Sequence, residues 1–324
     1  MMLSARKAGK PFFTEIQPMR LIAGLVLLAG SSAALADDSD HAASRASSDH
    51  KVAIVISPAP CDWCHWIAET TNFRIYWCPA EGNLPRFAAK CERLAAVSKD
   101  WWLGRDSQRA WTPKCDVVVH RGVAEYVSCL GPGSQATSGC ATIRLDEGRI
   151  VMRRIDLRVD APDWMSESLP HELMHVVLAD RFSSRRIAPW ADEGIAMLSE
   201  SPEKLNRRLS DLRRTAAGGG LYSFHELMKV QTGPQPADRA AFYGQSLALV
   251  SVLLDWGTRQ QLLDFVAASQ VKSPEAALRE VYGTRTSTDL EQQFAALSRS
   301  DRPFALAHQT LVASTRSSKA GLAE

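Results

Sequence analysis

An α+β fold is predicted for this 324-residue chain. Two observations predict it: β-like runs are confined to the stretch before residue 160, and the stretch from 165 to 298 reads as one helical segment after another. The punctuation agrees, because Gly218-Gly219-Gly220 and Gly233-Pro234 fall between helical segments.

The elements follow in order. Val52 to Ile56 is a short β-like run, closed by Pro58 and Pro60. Phe73 to Trp77 (FRIYW) reads as a strand. From Leu84 to Leu103 the apolar residues Phe87, Cys91, Leu94 and Ala95 keep helical spacing. Val117 to Val119 is another strand candidate. Ala141 to Leu145 and Arg149 to Val159 read as a hairpin turning at Asp146-Glu147-Gly148, the second arm alternating through Ile150, Met152, Ile155, Leu157 and Val159. Helices are expected at 165–182, 189–200, 202–216, 223–230, 238–256, 259–269, 274–281 and 287–298. The expected organisation is a linker at 37–60, one domain at 61–300 and a flexible tail at 301–324. Within the domain, a strand-containing lobe (about 61–164) precedes a helical lobe (about 165–300).

The first 36 residues read as an export signal. Arg6, Lys7, Lys10 and Arg20 precede the apolar run Leu21–Gly30, and small residues lead to Ala34-Leu35-Ala36, an A-x-A cleavage pattern. The run is short for a membrane span. The expected location is therefore periplasmic or extracellular, with no stable membrane span after cleavage. Removing these residues takes away four of 38 basic and one of 36 acidic residues, leaving 34 against 35, a net charge of −1. No basic field remains to suggest nucleic acid. Seven cysteines, Cys61, Cys64, Cys78, Cys91, Cys115, Cys129 and Cys140, would be free to form disulfides in an oxidising compartment, and their odd number leaves one over.

The chemistry-bearing motif is His171-Glu172-Leu173-Met174-His175. On a helix, positions i and i+4 stack on one face, so both imidazoles can share one small cation such as Zn²⁺. Glu172 sits about a quarter-turn round, where it can take a proton from a metal-activated water without being a ligand. The flanking residues Leu169, Leu173, Val176, Val177 and Leu178 make the helix apolar, and Pro170 requires that it fall in the first turn. A catalytic zinc needs a third protein ligand. A continuation HExxHxxGxxH fails, since Leu178 and Arg181 occupy the Gly and His positions. Glu193, 18 positions after His175 and at the start of a second apolar helix, is the favoured third ligand. Asp192 is its neighbouring competitor, pointing about 100° away. Gly194 beside it would allow close helix packing.

HELMH followed by Trp190-x-x-Glu193-Gly194-x-Ala196 resembles the gluzincin branch of the MA clan of metallopeptidases, and within it the bacterial peptidase-MA-like domains. The segment Tyr243-x-Gln245-Ser246-x-x-Leu249 matches a helix of that group. Glu69-Thr70-Thr71-Asn72-Phe73-Arg74-Ile75 is similar to its first strand, with Asn72 where His is frequent. The resemblance covers roughly 66–300 and is sharpest at 170–200 and 241–250. It implies a zincin-like fold with one zinc between a small strand-containing lobe and a helical lobe. It implies His171, His175 and Glu193 as ligands, Glu172 as base, Tyr243 as donor to the oxyanion, and a peptide or protein as substrate. His225 is the rival donor, although Phe224-His225-Glu226-Leu227 reads as a short helix capped by Ser223. A strand edge beside the metal helix would bind the peptide, and the arm Arg149–Val159 is the candidate. No G-x-M-E-N-type segment is present, so exopeptidase action is not expected.

Cys61-Asp62-Trp63-Cys64-His65 also matches C-x-x-C-H, the pattern of c-type haem attachment. No cytochrome-like helix surrounds it, and a cysteine clasp on the first lobe is the favoured reading. Alternatives to a zinc peptidase are a non-catalytic binding module on the same fold and a haem protein.

Overall fold

The computed structural model describes residues 52–59 and 63–299. The expected signal at 1–36, the tail at 301–324, most of the linker and Cys61 lie outside the described residues.

Six strands form one mixed sheet in the order β1-β2-β3-β4-β6-β5. They are β1 (Val55–Pro58), β2 (Trp66–Glu69), β3 (Phe73–Trp77), β4 (Cys115–His120), β5 (Gly139–Asp146) and β6 (Arg149–Arg158). β1, β2 and β3 are antiparallel; β3, β4 and β6 run parallel; β5 returns antiparallel to β6. Ten helices accompany the sheet among the described residues: α1 (Leu84–Leu103), α2 (Val123–Leu130), α3 (Leu169–Arg181), α4 (Pro189–Met197), α5 (Pro202–Ala217), α6 (Phe224–Lys229), α7 (Arg239–Trp256), α8 (Arg259–Ser269), α9 (Pro274–Tyr282) and α10 (Ser287–Arg299). The mixed α and β content, with helices alone after residue 164, agrees with the α+β expectation.

Local chemistry explains most boundaries. Asn83 caps α1, its side chain accepting from the Arg86 N–H at 2.9 Å, and Gly104, at φ +84°, ends it. The β5–β6 hairpin turns on Glu147 and Gly148, at φ +45° and +75°, the pair of left-handed residues that a tight hairpin needs. Ser223 and Glu226 form a reciprocal capping box on α6. The expected linker at 37–60 is corrected at its end, because Val55–Pro58 pairs with β2 and belongs to the sheet.

One sheet face carries Phe73, Ile75, Val117, Val119, Ile155 and Leu157, all fully buried against α1 and α3. A second core lies among the helices, around Trp190, Phe242, Leu249 and Phe265. α3 belongs to both. Leu169, Leu173, Val176 and Val177 face the sheet, while Met174 and Leu178 face the helices. A helix apolar on nearly all sides is a buried one, and α3 is the seam of the molecule.

Candidate metal centre

Two sides of α3 are committed to the cores, and the third presents His171 and His175 to a cleft of about 890 Å³. Their ring centroids are 5.1 Å apart. Pro170 falls in the first turn of α3, as the motif requires. α4 supplies Glu193, whose Oε2 lies 3.6 Å from His171 Nε2. Ligand atoms of His171, His175 and Glu193 all lie within 4.8 Å of one another, a group that could hold a metal ion. Gly194 makes this placement possible. A Cβ there would sit 2.6 Å from both the Ser246 carbonyl oxygen and Val250 Cγ2 on α7, so α4 reaches its position only without a side chain.

Carboxylates stand behind both imidazoles. His175 Nδ1 is 2.8 Å from Asp192 Oδ1, and His171 Nδ1 is 3.1 Å from the buried Glu200 Oε1. Both contacts use Nδ1, which leaves each Nε2 as the ring nitrogen available to a shared ion. Asp192, a rival ligand by sequence, is thus a partner of a candidate ligand. Glu200 escaped the sequence reading altogether. The available cue was an acid among serines directly after an apolar helix, which is weak.

The field at the centre favours positive charge. Burial pulls the His175 imidazole down, yet Asp192 and Glu193 outweigh it and lift it to about 9. His171 is likewise raised, the carboxylates of Glu193 and Glu200 overcoming its burial. Burial pushes Glu193 up, but the imidazoles hold it down at about 2. Two imidazoles and one carboxylate with an open side toward a cleft are the donor set and geometry that a catalytic divalent cation uses, so the residues present fit such an ion.

Glu172 lies in the wall of the same cleft. Burial raises its carboxyl above the usual range, partly offset by the imidazoles and by the backbone N–H of Ala141. The side chain rests on Gly139, where a Cβ would be 2.7 Å from Glu172 Cγ. Tyr243 also lines the cleft. Burial, followed by the charge of Glu193, pushes its phenol up to about 12, so it remains an O–H donor at neutral pH. The rival His225 instead pairs with Glu275 and is not among the cleft residues.

The expected peptide-binding arm needs correction. β6 (Arg149–Arg158) is flanked by β5 on one edge and, from Arg153 to Arg158, by β4 on the other, so the half of the arm next to α3 has no edge for a guest strand. The sheet edge beside α3 is β5, and Gly139 to Ile143 line the cleft.

His120, Cys129 and Asp156 form a second group of potential ligands. Arg154 occupies it: the guanidinium is 2.7 and 2.6 Å from the two Asp156 oxygens and 3.0 Å from Cys129 Sγ. A divalent ion there would meet a fixed cation, whereas in the first group, among the described residues, no guanidinium or ammonium group lies within ion-pair distance of Glu193, although the charge of Arg208 acts on it. Of the CDWCH run, Cys64 is buried beside Cys78 and Val118 and His65 is exposed. Cys91, Cys115, Cys129 and Cys140 are thiols. No helix among the described residues is long and apolar enough to cross a membrane. No protein-family model matches the chain, and no curated protein matches it.

Proposed function

We propose that the protein is a single-zinc peptidase of gluzincin type, holding the ion through His171, His175 and Glu193 and hydrolysing peptide bonds with Glu172 as general base. One observation carries the reading: three donor atoms of the right kinds converge within 4.8 Å, with a buried carboxylate beside them in an open cleft. When bound, zinc supplies Lewis acidity toward the attacking water and the substrate carbonyl. The residues supply the rest. Glu172 accepts a proton from the attacking water at a carboxylate oxygen and passes it to the departing amine nitrogen. Its raised affinity for that proton, caused by burial, suits both transfers. Tyr243 donates its O–H to the oxygen that gains charge as the carbonyl becomes tetrahedral. Apart from the Ala141 N–H, which Glu172 accepts from, the open edge of β5 offers backbone groups to the peptide.

The test combines metal analysis and peptide cleavage. Wild type should carry about one zinc per chain, following the three-ligand requirement, and should cleave peptides. Glu172→Gln should keep the zinc and lose roughly 10²–10⁴-fold in kcat. Equal activity in the two proteins would sink the mechanism, and wild type that binds no zinc would sink the site.

A further inference from the structure

The cleft is not uniform along its length. β5 and α3 run along it side by side, with Gly139 against Glu172 at one end and Gly148 near Ser184 at the other, where a Cβ on Gly148 would lie 3.7 Å from Ser184 Cα. Lys204 and Arg208, four apart on α5, line the end near the start of α3, together with Tyr243. Phe182 and Ile187 line the end beyond the close of α3, and Ile143 and Leu145 of β5 line the cleft as well. Arg186 also stands at the apolar end, but it is exposed at the rim, where water screens its charge.

Arg208 is held in place without being used up. α5 approaches α7 so closely that a Cβ on Gly244 would be 3.1 Å from the Arg208 carbonyl oxygen and 2.9 Å from Leu212 Cβ. The guanidinium carbon sits 4.8 Å from the centre of the Tyr243 ring; its charge helps to hold Glu193 and Glu200 down, but among the described residues no carboxylate forms a close ion pair with it. Lys204 by contrast has Glu167 at 3.9 Å. A half-buried guanidinium has five donors in a rigid fork that matches a carboxylate, and Arg208 lines the cleft beside the candidate metal centre. A guest strand on the open edge of β5 pairs best antiparallel. It would then run from the Leu145 end toward the Gly139 end. Its N-terminal part would meet the apolar wall, and its C-terminal part would meet Arg208.

We propose that the cleft selects peptides bearing a carboxylate just C-terminal to the bond at the metal, read by Arg208 with Lys204 beside it, and an apolar side chain on the N-terminal side, seated against Phe182 and Ile187. This rests on the peptidase reading above. The carboxylate can come from an Asp or Glu side chain or from the free C-terminus of the substrate.

Matched peptides test it on the zinc-loaded full chain. One pair carries Glu or Gln after the scissile bond with an amidated C-terminus, and a third peptide ends at Gln with a free α-carboxylate. kcat/KM is measured with wild type, and equilibrium binding with the Glu172→Gln protein. At least one carboxylate peptide should exceed the neutral one about tenfold in both readouts, the gain of a charge-assisted hydrogen bond over a neutral one. Preference for the Glu peptide identifies a side-chain carboxylate, and preference for the free acid identifies the chain terminus. Arg208→Gln should bring the ratio to within about twofold, and Arg208→Lys should leave it intermediate, which keeps the test valid if the first variant folds poorly. Equal affinities, an acid preference on the N-terminal side, or a preference that survives in Arg208→Gln overturns the proposal. If peptides are cleaved without acid preference, the selectivity alone falls. If none is bound or cleaved, the peptidase reading falls with it.

Discussion

His171 and His175 differ in what stands behind them. Asp192 meets His175 at the surface of the cleft, whereas Glu200 meets His171 from an almost fully buried position. Asp192 is hydrogen-bonded to the His175 ring, and Glu200 stands within ion-pair distance of the His171 ring; outer partners of this kind typically contribute 10–100-fold in metal affinity. Asp192→Asn and Glu200→Gln should therefore each weaken zinc binding by about that factor in a chelator competition, with the donor set unchanged. Affinities equal to wild type would reduce both to bystanders. Asp156 shows a different use of charge. Burial would raise its carboxyl, but His120 and Arg154 hold it below the ordinary range. A depressed carboxyl contributes stability above its unfolded pKa of about 3.9 and loses it as pH falls through the lower folded value. Asp156→Asn should cost about 3–5 kcal/mol at neutral pH, because it breaks a buried ion pair. In denaturant titrations the gap from wild type should narrow below about pH 4. A gap that is constant with pH would mean that packing, not charge, is lost.

At the scale of elements, the glycines between helices are the sensitive points. Gly194 lets α4 lie against α7 at a distance no Cβ tolerates. Gly194→Ala should cost about 1–3 kcal/mol in denaturant unfolding through overpacking, and zinc affinity should fall with it because Glu193 is the adjacent residue. Unchanged stability would show that α4 can shift at no cost. Several elements were legible in the sequence. α1 declares itself through Phe87, Cys91, Leu94 and Ala95, and the β5–β6 hairpin through alternation and its turn. α3 and the histidine pair follow from spacing alone. β2 was not legible, since four residues with an exposed Trp66 at one end offer no pattern. Nor was α2, which buries only Tyr126 and so carries no apolar stripe. The edge of the sheet was misjudged for a topological reason. Proximity in sequence favours β6 beside α3, but β6 inserts between β4 and β5, and strand order depends on long-range pairing that periodicity does not encode.

At the scale of the whole molecule, α3 joins two cores, a role that α1 shares at its C-terminal end through Trp102 and Leu103. The sheet core closes over one side of α3 and the helical core over another. The candidate metal centre sits on the remaining side, tying α3 to α4 through His171, His175 and Glu193, while Glu172 rests on β5 at Gly139. An ion there would cross-link the seam itself. A ligand that binds the folded state adds RT ln(1 + [L]/Kd), about 2.7 kcal/mol at a hundredfold excess over Kd. In a domain of this size 1 kcal/mol moves Tm by roughly 2–4 °C, so saturating zinc should raise Tm by about 5–10 °C over the chelated protein. Glu193→Gln should lose most of that increment, whereas Glu172→Gln should keep it, because its carboxylate is outside the donor set. A zinc-dependent rise of equal size in Glu193→Gln would place the ion elsewhere, and the His120, Cys129 and Asp156 group would be the next site to test. That group carries its own cation in Arg154, so the same measurement on Arg154→Gln would decide between the two. Removing the guanidinium should leave the thermal response to zinc unchanged if the ion belongs to α3 and α4.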